Sequence, residues 1–238
     1  MATDKKRREI VKLFSGLRVT DINDAMDAVG LQDTGIMECD IRPLWRDVET
    51  FSHRIYGFAH TVRFLPTNRR AAKMTIDEFD RWKNNWYETL ANAPVRKDIH
   101  PLDVIVIDGG EIPDCGFIGS YNSLEWMAAG AVGAVTNGGC RDTDEIIRQK
   151  VPVYSRFIRH GIRPGRVELG GTNENVNVGG VMVRPGDFIA ADGDGVIVVP
   201  IEMVGEVAAY ARSVQNQDKA GRRSFYDKLG LPRDFTVK

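Results

Sequence analysis

The chain has 238 residues, 42% hydrophobic and 27% charged, which is enough to bury the core of one domain of ordinary size. Its net charge of −1 gives no long-range attraction to nucleic acid or to an anionic membrane surface, so we expect neither as a partner. No segment has the apolar length of a secretory signal or a membrane span, which predicts a cytoplasmic protein.

The first half of the chain alternates between helical and extended patterns. A helix is predicted from Thr20 to Gly30, and extended segments are predicted over Met37–Leu44 and Ile55–Phe64. The aromatic residues between Thr75 and Ala93 recur at helical spacing, which predicts a helix whose aromatic face we interpret as packing. Asp103–Asp108 is a continuous β-branched run, the pattern of a strand covered on both faces.

The same alternation continues to about residue 154 and then gives way to short strands. We predict helices at Leu124–Gly130 and Asp144–Lys150, with strands at Ala131–Val135 and Val151–Tyr154. Four further extended segments are predicted between glycine and proline turns, at Val167–Leu169, Val176–Val183, Phe188–Ala191 and Val196–Val199. A helix over about residues 201–228 closes the chain. This order predicts the α/β fold class.

The run from Val132 to Ile146 combines an apolar strand, a glycine pair and an adjacent cation and anion. Asn137-Gly138-Gly139 predicts a turn, which places Arg141 and Asp142 at a strand-to-helix junction. A helix start favours anions, an arginine can hold a carboxylate through two parallel hydrogen bonds, and an aspartate can hold a divalent cation. These properties predict a site for a small carboxylate. The alternative is an ordinary ion pair that caps the helix.

Other chemistry-bearing residues give weaker signals. Cys140 precedes the Arg141–Asp142 pair, where a neighbouring cation and a helix start would favour a nucleophilic thiolate, but no histidine lies near it in sequence. The four histidines form neither an HxH nor an HExxH pattern, which argues against a zinc site. The three cysteines form no CxxC pair, so we expect reduced thiols.

Several motifs follow one another along most of the chain in an order that resembles the RraA-like family. This family includes regulators of ribonuclease activity and class II 4-hydroxy-4-methyl-2-oxoglutarate aldolases. The resemblance covers most residues from about 20 to 215. The matching stretches are Asp24–Gly30, Asp103–Asp108, Gly119, Gly130–Gly133, Thr136–Glu145, Pro152–Ser155, Val178–Val181, Arg184–Asp187 and Asp192–Pro200.

The resemblance implies a swivelling β/β/α domain that assembles as a homotrimer or a homohexamer, with active sites in clefts between subunits. We therefore predict a single domain over residues 1–238. It carries an elaboration at about 65–100, which is absent from the family pattern, and the C-terminal helix at about 201–228.

The resemblance also implies a metal-dependent lyase, of aldolase or decarboxylase type, that acts on a small 2-oxo acid or sugar-derived acid through an enolate. The family's aspartate, here Asp142, holds Mg²⁺ or Mn²⁺. Its arginine, here Arg141, binds the substrate carboxylate and steadies the enolate. The loop after Gly119, with the amides of Tyr121 and Asn122, completes the anion pocket. The metal ion and the fixed guanidinium together suit a reaction that leaves negative charge on a former ketone oxygen.

One position departs from the aldolase pattern. The aldolases carry an aspartate that handles protons where this chain has Ser120. A serine can donate a hydrogen bond but cannot accept a proton at neutral pH, so the general acid and base remain open. Glu125 is a candidate replacement, with an exposed helical glutamate as the alternative. A non-catalytic regulator that binds a ribonuclease or another protein is the second functional hypothesis.

Overall fold

The structure is a computed structural model that describes residues 3–94, 96–110, 112 and 114–238. Its helices are α1 (Asp4–Phe14), α2 (Val19–Ala28), α3 (Ile76–Thr89), α4 (Ser120–Ala129), α5 (Thr143–Arg148) and α6 (Val204–Leu229), with short 3₁₀ helices at Arg96–Asp98 and Ile201–Met203. Its strands are β1 (Arg42–Pro43), β2 (Ile55–Pro66), β3 (Asp103–Asp108), β4 (Gly116–Ile118), β5 (Gly133–Cys140), β6 (Val153–Ile158), β7 (Val167–Thr172), β8 (Val176–Val178), β9 (Val181–Val183), β10 (Phe188–Asp192) and β11 (Gly195–Val199).

The main sheet runs in the order β1-β6-β5-β3-β2-β10-β11, with β4 added to β5 and β7 added to β2. Its centre is parallel, from β6 through β5 and β3 to β2, and the remaining pairs with β1, β7, β10 and β11 are antiparallel. Residues 35–37 lie along β11, where the Val198 amide donates to the Gly35 carbonyl at 2.8 Å. Because this segment leads into β1 on the opposite edge, the sheet is nearly closed, and the predicted mixed α/β fold is confirmed.

The core lies on both faces of the sheet. In β3, Ile105 and Ile107 pack with Trp86 and Trp126, whereas Val104 and Val106 pack toward β8 and β9. These four side chains are fully buried, as the continuous apolar run predicts. A third cluster joins α1, α2 and α6 to the antiparallel strands through the stacked rings of Phe14 and Phe188, whose centroids are 4.2 Å apart.

The structure differs from the predicted elements in several places, including the unpredicted strand β4 and the division of Val176–Val183 into β8 and β9. Helix α1 precedes the first predicted helix, and only Arg42–Pro43 of the predicted segment Met37–Leu44 is a strand. Strand β5 continues through the predicted glycine turn with a bulge between Thr136 and Gly139. Gly139 is required there for close packing rather than for turning, since a Cβ would lie 2.7 Å from the carbonyl oxygen of Cys115.

The long connection between β2 and β3, residues 67–102, contains α3 and covers one face of the sheet. Helix α3 is fixed by the indole Nε1 of Trp86, which donates to the Val167 carbonyl at 2.8 Å. The Leu169 amide donates to the carbonyl of Leu90 just after the helix, at 2.6 Å. This connection coincides with the predicted elaboration. Among the described residues, no helix combines the length and apolarity needed to cross a membrane.

Candidate active site

A cavity of about 530 Å³ opens at the sheet edge where β4 and β5 end. The two strands are parallel neighbours, so the residues that follow them meet at one edge. Gly119 follows β4 and leads into α4, while Arg141 and Asp142 follow β5 and lead into α5. The Arg141 amide donates to the Ile118 carbonyl at 2.8 Å and joins the two junctions. We call the part of the cavity formed by residues 116, 117, 119, 121, 122, 141 and 142 the junction wall.

Asp142 does not cap its own helix, α5. It precedes α5 in the left-handed conformation, with φ of 55°, which aspartate tolerates better than most residues. Its side chain makes no capping hydrogen bond to α5. Instead, Oδ2 accepts from the amide of Ser120 at the start of α4 and Oδ1 accepts from Nε of Arg141, both at 3.2 Å. Arg141 and Asp142 therefore form an ion pair that does not cap α5 and that contacts the start of α4.

The guanidinium of Arg141 has its two terminal nitrogens available. Nε is bonded to Asp142, whereas neither Nη1 nor Nη2 meets a hydrogen-bond partner among the described residues. The side chains of Arg141 and Asp142 are 32% and 35% exposed, and both line the cavity. Gly116 makes room for the arginine, since a Cβ there would lie 2.8 Å from its Cγ. The free fork is suited to a planar anion.

Gly119 leaves space for the Asp142 carboxylate because it has no side chain. A Cβ at this position would lie 2.8 Å from Oδ2 of Asp142, so any larger residue would displace the carboxylate. The Gly119 amide is not available to a ligand, because it donates to Oδ1 of Asn122 at 2.7 Å. Nδ2 of the same asparagine donates to the Phe117 carbonyl at 3.0 Å, so its side chain holds the loop in place.

The start of α4 lies at the cavity. Tyr121 and Asn122 line it, and within the described part of the chain their amides have no hydrogen-bond partner, as expected in the first turn of a helix. Ser120 is not among the lining residues, and its contribution is the main-chain amide that donates to Asp142. The tyrosine side chain is 82% exposed. The helix dipole adds positive potential at this end.

Asp142 fits a hydrated divalent cation held by one carboxylate. An ionised carboxylate offers about four acceptor positions, and here only two are used, by Ser120 and Arg141. Mg²⁺ commonly keeps several waters and takes only one or two carboxylates from the protein. No group of three or more His, Cys, Asp or Glu residues is arranged to hold a metal in the part of the chain that the structure describes. The donor set therefore suits a hydrated ion rather than a protein cage.

The opposite side of the cavity comes from the β2–β3 connection, and we call it the connection wall. It consists of Lys83 and Tyr87 on α3 and residues 91–94. Trp86 is buried, as the packing interpretation predicts for the aromatic face, but the neighbouring Tyr87 lines the cavity. Lys83 pairs with Asp80 at 2.8 Å. Helical spacing favoured packing for the α3 residues of this wall, and only the fold brings them opposite the junction wall.

Arg163 joins the two walls. Its guanidinium donates to the carbonyl of Ala93 in the connection wall at 2.6 Å and to that of Phe117 in β4 at 2.6 Å. The residue is only 5% exposed, stacks over Phe64 at 4.7 Å and lines the cavity. It has no carboxylate partner among the described residues, and burial lowers its pKa. A buried cation without a counter-ion favours an anionic occupant of the cavity.

Two other candidates have clear outcomes. Cys140 is fully buried, and that burial raises the pKa of its thiol to about 12, which removes it as a nucleophile at neutral pH. Glu125 is exposed on α4 and lines the cavity. Together the described lining residues include three cationic side chains, Lys83, Arg141 and Arg163, and two carboxylates, Glu125 and Asp142.

The chain was compared with protein-family models and with curated proteins. The model for RraA-like proteins, described as Aldolase/RraA, matches residues 19–198. Protein DlpA of Legionella pneumophila is 28% identical over 79% of this chain, but the match spans only 27% of that protein. A Halalkalibacterium halodurans protein with the provisional name 4-hydroxy-4-methyl-2-oxoglutarate aldolase is 28% identical over 63% of this chain and 71% of its own length.

Solved structures share the fold at low sequence identity. An uncharacterised protein from Pseudomonas syringae has a TM-score of 0.71 and 24% identity, and the match covers 94% of both chains. RraAS2 of Streptomyces coelicolor, described as an unusual member of the RNase ES inhibitor RraA protein family, has a TM-score of 0.69 and 21% identity over 90% of this chain and 96% of that one. These likenesses concern the fold alone.

Proposed function

The chain belongs to the RraA-like family, and from this premise we propose that it is a divalent-metal-dependent lyase that cleaves a small 2-oxo acid or sugar-derived acid through an enolate. Relatives with the provisional name 4-hydroxy-4-methyl-2-oxoglutarate aldolase support the lyase class. The observation that carries the proposal is the free guanidinium fork of Arg141 beside the partly exposed carboxylate of Asp142 in an open cavity.

The junction wall supplies the binding functions that such a reaction needs. The substrate carboxylate takes the two terminal nitrogens of Arg141, and the amides of Tyr121 and Asn122 add donors on the α4 side. As the carbon–carbon bond breaks, negative charge moves to the 2-oxo oxygen. Donors and cations that are already fixed around that oxygen stabilise the transition state without reorganising.

Asp142 is the proposed anchor of the metal. The Ser120 amide and Nε of Arg141 hold its carboxylate in place, and Gly119 leaves it the necessary space. When bound there, Mg²⁺ or Mn²⁺ supplies a further positive charge beside the 2-oxo group. The free acceptor positions of Asp142 and the cavity's access to water support a hydrated ion.

The test is metal-dependent turnover. The purified protein is stripped with a chelator, and pyruvate release and CO₂ release are followed across 2-oxo acids and sugar acids, with and without added Mg²⁺ or Mn²⁺. We expect turnover that depends on the metal. If no acid is turned over and a protein such as a ribonuclease co-purifies stoichiometrically, the regulator hypothesis replaces the enzyme.

We also propose that the protein is a homotrimer or a homohexamer. The end of α6 and the residues after it leave large apolar side chains exposed, namely Phe225, Leu229, Leu231 and Phe235. Exposed apolar patches of this kind favour subunit contacts. Light scattering measures the mass directly, and a monomer at micromolar concentration would contradict this assembly.

A further inference from the structure

The proposed lyase reaction requires a proton donor that the junction wall does not supply. An enolate released by carbon–carbon cleavage must take up a proton at carbon to become the ketone product. Ser120 stands where the resemblance implies an aspartate, and it does not line the cavity. The guanidinium of Arg141 serves as a binding group for the anion. The donor therefore has to come from elsewhere in the cavity.

We propose that Tyr87, on the connection wall, is the general acid that protonates the enolate carbon. This inference rests on the proposed lyase function. Tyr87 lines the same cavity as Arg141 and Asp142. Lys83 lies one helical turn before it, on the same face of α3, and also lines the cavity. The neighbouring Trp86 fixes this turn of the helix through its hydrogen bond to the Val167 carbonyl.

The surroundings of Tyr87 keep its hydroxyl protonated at neutral pH. Burial raises the pKa of Tyr87 above its usual value, and the positive charges of Arg163 and Arg141 oppose that rise only in part. The other charged groups on the cavity are Lys83, Glu125 and Asp142, and the buried Cys115 adds to the rise in the pKa of Tyr87. A protonated phenol is an acid rather than a base in the resting state, which is the form this step requires.

The step balances without a further reactant. The electron pair of the broken carbon–carbon bond passes into the enolate of the 2-oxo acid fragment. That pair then forms a new C3–H bond with the phenolic proton of Tyr87, and the 2-oxo group is restored. The phenolate that remains lies near the guanidinium groups of Arg163 and Arg141 and takes a proton from water. No oxidant or reductant takes part.

The other titratable side chains fit this role less well. Lys83 is engaged with Asp80 at 2.8 Å. Glu125 lies on the exposed face of α4, where its side chain is open to solvent. Cys115 is buried, and it is absent from the residues that line the cavity.

Exchange of the pyruvate methyl protons with D₂O isolates this step from carbon–carbon cleavage. The wild-type protein with Mg²⁺ or Mn²⁺ is incubated with pyruvate in D₂O, and loss of the methyl signal is followed by ¹H NMR. General acid catalysis contributes about 10²–10⁴-fold, so we expect Tyr87→Phe to slow the exchange by about 100-fold or more. Pyruvate affinity, measured by calorimetry, should change little, because the ring and its packing remain.

Tyr210→Phe is the matched control. Tyr210 is exposed on α6 and does not line the cavity, so its exchange rate should equal that of the wild-type protein. The pH profile provides a second readout. Exchange begins with removal of a methyl proton by the Tyr87 phenolate, the reverse of the proposed step, so wild-type exchange should rise as the pH approaches the raised pKa of the phenol. Tyr87→Phe should lose that alkaline rise.

Three outcomes separate this inference from the proposed function. If Tyr87→Phe exchanges at the wild-type rate, Tyr87 is not the acid, while the lyase proposal stands. If Glu125→Gln loses exchange and Tyr87→Phe does not, the acid is Glu125. If the wild-type protein neither exchanges pyruvate protons nor cleaves any tested acid, the lyase function itself is overturned.

Discussion

The two walls of the cavity differ in how they are built. The junction wall consists of the segments that follow two parallel strands, and its groups are held by main-chain contacts such as the Arg141 amide to the Ile118 carbonyl. The connection wall consists of side chains on α3 and on residues 91–94, which belong to a long crossover between β2 and β3. Arg163 ties the walls together through the carbonyls of Ala93 and Phe117.

In the proposed mechanism, the junction wall binds the anion and the connection wall supplies the proton. The register of the sheet fixes the junction wall, so the groups proposed to bind the anion and the metal are set by the fold. The connection wall can change with the length and sequence of the crossover without disturbing the sheet. We therefore expect substitutions in the junction wall to have larger effects than substitutions of Lys83 in the connection wall.

The largest effect is expected for Arg141→Met. This change removes the guanidinium that faces the carboxylate and the enolate, and loss of one such group costs about 10²–10³-fold in turnover, or about 2.7–4 kcal/mol of transition-state stabilisation. Steady-state kinetics or pyruvate proton exchange measures it. Arg148→Met, at the exposed end of α5, is the matched control and should behave as the wild-type protein. Unchanged turnover in Arg141→Met would show that the junction wall is not the active site.

Asp142→Asn should abolish the response to metal. The amide keeps the shape of the side chain but loses the charge that a divalent cation requires. Mn²⁺ binding, followed by electron paramagnetic resonance, tests this independently of activity. Asp144→Asn lies two residues later, in the exposed first turn of α5, and should bind Mn²⁺ as tightly as the wild-type protein. Equal Mn²⁺ affinity in both variants would place the metal elsewhere.

Gly119→Ala should reduce turnover by about tenfold while the protein remains folded, because the new Cβ displaces the Asp142 carboxylate rather than a core side chain. Urea unfolding and kinetics measured together distinguish the two effects. Gly205→Ala in α6 is the control, since its Cβ would meet nothing within 4 Å and should leave activity intact. In a helix, that control should raise the free energy of unfolding by about 0.5–1 kcal/mol.

The smallest effect is expected for Lys83→Met. Lys83 is partly exposed and already paired with Asp80, so the loss of its charge should raise KM a few-fold with little change in kcat. The effect should shrink further in 0.5 M salt, which screens exposed charges. Lys73→Met, in the exposed part of the same connection, is the control. A large fall in kcat would show that Lys83 takes part in the chemical step, which would contradict the difference expected between the two walls.

The sequence alone determined most of the secondary structure and the position of Arg141 and Asp142. The buried run Asp103–Asp108 and the periodic α2 segment are local signals, because side-chain spacing reports directly which faces are covered. The errors came where packing overrides local pattern. The glycine pair lies within strand β5 and does not form a turn. Both glycines leave space for close neighbours, and a turn pattern in the sequence does not record those neighbours.

Only the tertiary structure decided what surrounds Arg141 and Asp142. Asp142 turns to the Ser120 amide instead of capping its own helix, and Arg163 and Tyr87 join it from distant parts of the chain. These contacts depend on strand order and on the path of a long crossover. A sequence pattern records neighbours along one helix or strand, whereas the two walls meet only because the sheet brings separate segments to one edge.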